Sequence, residues 1–290
     1  MNLKLLPAAV LTLALASVLA SAVSSATPTV PGLAASQPRN ATERSFAVGG
    51  GLVQTIDLLM SADVPAAEAE RVADSFFDDR FASGTIVEYV TTPNSWPASS
   101  IPVTISYNQS LAGEPSLKDA GDIAVARWNT IPGSTFRMVS GGTTAAVAGA
   151  CQSPLALDGQ NTLTFADTGG SSVLGLTCAV SDSSRKIVEA DIIFSPSVLF
   201  SSASVTPNNA YDFVSVVLHE LGHFASLDHP CQQGACNGYD AVMVPTLQQG
   251  QQRRTPRPDD VMGLNSKYPA SRSVLPFRAY TAVVVGDSPR

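Results

Sequence analysis

All three histidines of this chain lie in one short run, HELGHFASLDH, residues 219–229. No other feature limits the fold as much. His219 and His223 are four residues apart, so on a helix both side chains leave the same face and can share one ion. Glu220 is turned by about 100° from His219, close enough to act on a water beside such an ion without ligating it. His229 follows His219 by ten residues. A continued helix would carry it away, so the chain must turn after Phe224 or Ala225. Three neutral imidazoles would leave a fourth zinc position open for water, acidified to a pKa of about 7. Glu220 could then act as general base and return the proton to a leaving amine.

The surrounding residues predict that helix. Asn209 followed by Asp212 resembles a capping box, and Val217, Leu221 and Phe224 form an apolar stripe opposite the two histidines. Upstream, Pro65 to Phe81 has helical spacing through Ala66, Ala69, Val72, Ala73 and Phe76. Ile101, Val103, Ile105 and Tyr107 alternate as in a strand. Leu117, Ala120, Ala124 and Trp128 recur as in an amphipathic helix. Further strands are expected at Thr135–Val139, Thr162–Phe165 and Val188–Phe194. The order strand, helix, several strands, then helices predicts an α+β fold with helices packed on a twisted sheet.

The N-terminus reads as an export signal. Lys4 precedes an apolar stretch over residues 5–20, followed by small residues, with cleavage expected after Ala22 or Ala26. The stretch is short for a membrane span of about 20 residues, so no stable anchor is expected after cleavage, and the chain reads as secreted. In an exported chain, Cys151, Cys178, Cys231 and Cys236 suggest two disulfides. Proximity favours Cys151–Cys178 and Cys231–Cys236 among three pairings. The net charge of -7 and a pI near 4.9 argue against nucleic acid as a partner. The basic run Arg253, Arg254 and Arg257 reads as a solvated loop.

HELGHFASLDH resembles the extended zinc motif of the metzincins, and of matrixins in particular. Asp240–Pro245 resembles the Met-turn of that clan, and Pro258–Leu264 with Tyr268-Pro269 resembles the matrixin C-terminal helix. Weaker likenesses lie at Ile101–Thr104, Thr135–Arg137 and Glu189–Ile192. The resemblance implies a zincin-like catalytic domain over residues 95–269, preceded by a signal peptide (1–26) and a leader or propeptide (27–94), and followed by a tail (270–290). It implies a zinc endopeptidase, a monomer acting on proteins or peptides. His219, His223 and His229 would be the Zn2+ ligands, Glu220 the base, and Met243 a floor beneath the metal.

This chain departs from the family pattern in several places. Ser226 stands where Gly is usual, and a positive φ there costs a serine roughly 1 kcal/mol. No cysteine precedes Cys151, so latency conferred by residues 27–94 would need something other than a cysteine switch. No histidine remains for a second, structural zinc. Ca2+ is left open through carboxylates and carbonyls such as those around Asp167, without a recognisable calcium loop. Val244 replaces a frequent Tyr, while Tyr211 and Tyr239 read as packing residues. Tyr280–Val285 could add an edge strand. The alternative from another class is a secreted zinc-binding recognition or adhesion protein with weak or no catalysis.

Overall fold

A computed structural model describes residues 43–81, 85–86, 94–109, 115–231, 236 and 240–270. The signal peptide, residues 27–42, 82–84 and 87–93 of the leader, Tyr239 and the expected strand Tyr280–Val285 lie outside these residues.

The centre is a mixed sheet. Four strands run parallel: β4 (Val103–Asn108), β5 (Met138–Thr144), β6 (Thr162–Phe165) and β8 (Ile187–Phe194). Next to β8, and antiparallel to it, lies β7 (Val173–Ser181). Three N-terminal strands extend the sheet: β1 (Glu43–Gly49), β2 (Leu52–Ser61) and β3 (Thr85–Ile86). The order is β3-β1-β2-β7-β8-β6-β4-β5. Strands β9 (Phe200–Ser201) and β10 (Tyr211–Asp212) form a separate parallel pair, and β11 (Thr246–Leu247) joins the main sheet on β2.

Helices cover both faces. α1 (Ala66–Phe81) packs Ala73, Phe76 and Phe77 on one face, against Ile56, Leu58 and Met60 of β2 and Leu176 of β7. On the other face, α2 (Pro115–Asn129) and α3 (Phe213–Phe224) form a larger core with Ile105, Tyr107, Ile192 and Phe194. α4 (Pro258–Lys267) adds Leu264 to that core. The alternation of β4 appears as the burial of Val103, Ile105 and Tyr107. Burying each such side chain stabilises the fold by about 1.5–3 kcal/mol.

The α+β expectation holds, with the predicted strand Thr162–Phe165 in place. The strand expected at Thr135–Val139 begins instead at Met138, because Thr135 N donates to Tyr268 O at 2.8 Å rather than to a ladder. Both disulfides form as proximity suggests, Cys151–Cys178 and Cys231–Cys236. No described helix is long and apolar enough to cross a membrane.

Candidate metal centre

The N-cap of α3 is Asp212, not Asn209. Asp212 accepts a hydrogen bond from Ser215 N at 2.9 Å, a normal N-cap contact. Its carboxylate also accepts from Thr206 Oγ1 at 2.9 Å and from Arg254 Nε at 3.0 Å. The basic run is therefore no solvated loop. Arg254 neutralises a buried cap, and Arg253 N donates to Ser215 Oγ at 2.7 Å. Inside the helix, two indoles fix the backbone: Trp128 Nε1 donates to Leu218 O at 2.8 Å and Trp96 Nε1 to Phe224 O at 2.7 Å.

The helix stops where the third histidine needs it to. Ser226 N donates to His223 O at 2.7 Å and Leu227 N to Gly222 O at 2.9 Å. This is a Schellman ending. It places Ser226 at φ 65°, the left-handed conformation that glycine adopts without cost. The chain then reverses and brings His229 back. The three Nε2 atoms converge, 3.0 Å apart for His219–His223, 3.0 Å for His223–His229 and 3.1 Å for His219–His229.

Outer contacts set the proton positions. His219 Nδ1 lies 2.9 Å from Val242 O, and His223 Nδ1 lies 2.8 Å from Leu227 O. A carbonyl can only accept, so both Nδ1 atoms carry the hydrogen and both Nε2 lone pairs face the common point. Burial holds His223 down at about 4 and His219 and His229 well below the usual imidazole range. The imidazoles are thus neutral, as ligands must be.

A tetrahedral zinc with Zn–N bonds of about 2.0–2.1 Å needs nitrogens about 3.3 Å apart. The observed separations are slightly tighter, and the donor set fits zinc. Glu220 is fully buried, and its Oε1 has no protein partner. Its Oε2 accepts from Thr177 Oγ1 of β7 at 2.7 Å. Burial pushes Glu220 up to about 8, while the Thr177 bond pulls it down; a bound cation would also favour its ionised form.

Sequence reasoning did not single out Thr177, Gly222 or Asp260. A Cβ on Gly222 would lie 2.1 Å from Met243 Sδ and 3.1 Å from Trp128 Cζ2, so only glycine admits Met243 beneath the histidine helix. Asp260 of α4 accepts from Val242 N at 2.9 Å and Met243 N at 3.2 Å. It thereby fixes both the methionine turn and the carbonyl that orients His219. Tyr211 does more than pack: its hydroxyl lies 2.7 Å from Ser61 Oγ. Asp167 is exposed, and its Oδ1 accepts from Gly169 N.

A family model described as Matrixin matches residues 118–269, more than half of the chain. The chain belongs to the matrixin family. That family consists of zinc-dependent endopeptidases within the metzincins. The match spans α2, the sheet from β5 to β8, the helix bearing His219 and His223, and α4. No curated protein was found to match this matrixin.

Proposed function

We propose that this matrixin is an exported endopeptidase in which His219, His223 and His229 hold one zinc ion and Glu220 is the catalytic base. The observation carrying this reading is the meeting of three neutral Nε2 atoms within 3.1 Å of one another. Bound there, zinc would acidify a water to a pKa of about 7 and polarise a peptide carbonyl.

The remaining chemistry belongs to the side chains. Glu220 takes a proton from the attacking water and delivers it to the departing amine. Thr177 occupies Oε2, which leaves Oε1 to exchange that proton. Val242 O and Leu227 O hold the two helix imidazoles in their ligating tautomer. Met243, seated on Gly222, supports the helix from below.

Export is supported by the apolar segment at residues 5–20 and by two disulfides, which persist in oxidising compartments. Residues 1–26 would be removed on the way out. The end of the matrixin match at Pro269 supports reading residues 270–290 as a tail outside the catalytic unit.

The test is casein digestion by the chain recovered from culture medium, its first residue fixed by N-terminal sequencing. Wild type should digest, while Glu220→Ala and chelator-treated wild type should not. Equal digestion in all three samples removes the protease reading, and zinc bound without digestion in the matured form points to a recognition protein.

A further inference from the structure

We propose that Glu43, Asp57 and Asp228 form a second cation site, built from oxygen ligands and suited to Ca2+, against the turn that carries His229. Such a site is independent of the protease reading.

Strand register brings two of the carboxylates together. Glu43 opens β1 and stands directly opposite Asp57 of β2. Like charges in that relation repel. Asp228 comes from elsewhere in the chain, on the turn that Ser226 starts after α3. One oxygen from each of the three lies within 4.8 Å of the other two. Two oxygens bound to one Ca2+ stand at most roughly 5 Å apart, so the three fit a single ion.

Asp57 separates this cluster from ordinary surface charge. It is 8 % exposed, and its Oδ1 has no hydrogen-bond partner. His223 Nδ1 is 3.9 Å away and gives its only hydrogen to Leu227 O at 2.8 Å. A buried carboxylate oxygen left in this way is costly, and a cation beside it removes the cost.

Asp57, Glu43 and Asp228 line one cavity of about 50 Å³ with Thr55, Asn94 and Lys267. That volume holds an ion and a water or two. Thr55 and Asn94 supply neutral oxygens, and waters complete the roughly six to eight ligands that Ca2+ takes. The Lys267 ammonium offsets one of the three negative charges. Two remain, the charge of one divalent ion. Asp228 is exposed, so an ion can enter from solvent. Bound there, it ties the residue next to His229 to β1 and β2.

The rival occupant is a proton. Burial first, and then the neighbouring Asp228, push Glu43 up to about 8, so that these two carboxyls could share one.

Calcium binding is measured by isothermal titration at neutral pH on the zinc-loaded full chain, carrying Glu220→Gln to exclude self-cleavage. Intact mass confirms that residues 43–61 are retained. Asp57→Asn and Glu43→Gln are compared with this parent. Glu43 is only partly buried, so its variant is the gentler one should the first not fold. Melting temperatures are recorded for all three chains with and without calcium.

The parent should take one Ca2+ at this site with about millimolar or tighter affinity, and should melt higher with calcium. Each variant should lose about tenfold or more in affinity, because ligand charge sets the strength of such sites. Without calcium the variants should melt no lower than the parent, since a repulsion has gone. With calcium at saturation that order should reverse. Variants that melt lower in both buffers show a purely structural role and overturn the proposal. Calcium affinity unchanged in both variants also overturns it, by placing the ion elsewhere. A parent chain whose melting ignores calcium overturns it too, and leaves the shared proton as the occupant.

Discussion

Met243 lies against the bare backbone of Gly222, with room for no carbon between them: a Cβ on Gly222 would come within 2.1 Å of the Met243 sulfur. Gly222→Ala should therefore overpack the floor of the site and destabilise the protein by about 1–3 kcal/mol. Zinc affinity should fall with it. Denaturant midpoints and competitive zinc titration check this, and an unchanged affinity would mean that the methionine floor does not position the ligands.

Ser226 holds φ 65° at the helix ending. Its backbone bonds need that conformation, but its side chain does not favour it. Ser226→Gly should stabilise the protein by roughly 0.5–1 kcal/mol, part of the left-handed cost being offset by the freer unfolded chain. Thermal melts should rise by a few degrees with peptide hydrolysis unchanged. A lower melting temperature would contradict this account of the turn.

Thr177 donates to Glu220 Oε2, and this bond lowers a carboxyl that burial has pushed up to about 8. Thr177→Val removes the bond and keeps the shape. The Glu220 proton should then leave less readily, so the acidic limb of kcat/KM should move to higher pH, with a fall of about tenfold or more at neutral pH. An unmoved limb would show that another group sets it.

The buried imidazoles predict acid release. His223 sits at about 4 in the fold against an ordinary 6.5, so its shift is a depression. The unfolded chain binds more protons between those values, so stability is present above 6.5 and is lost as pH falls through about 4. Zinc content should hold at neutral pH and drop within that window, as the ligands must be unprotonated. Loss of zinc above it would indicate a different ligand set.

The local features of this matrixin were legible in its sequence, and the long-range ones were not. The histidine spacing, the turn after Phe224 and the strand Thr162–Phe165 follow from neighbouring residues. β7 did not stand out, because both of its faces are buried and its apolar run has no alternation. β2 lay hidden in the leader for the same reason. The helix cap was assigned to Asn209 because nothing local reveals that Arg254, 42 residues on, completes Asp212. Thr177 reaches Glu220 across 43 residues of sequence.

The most direct test of the central claim is the zinc stoichiometry of the purified chain and of His229→Ala by elemental analysis after dialysis at neutral pH. The wild-type chain should retain one zinc, and the variant, left with two imidazoles, should lose it. Full retention by the variant would contradict a centre built from all three histidines.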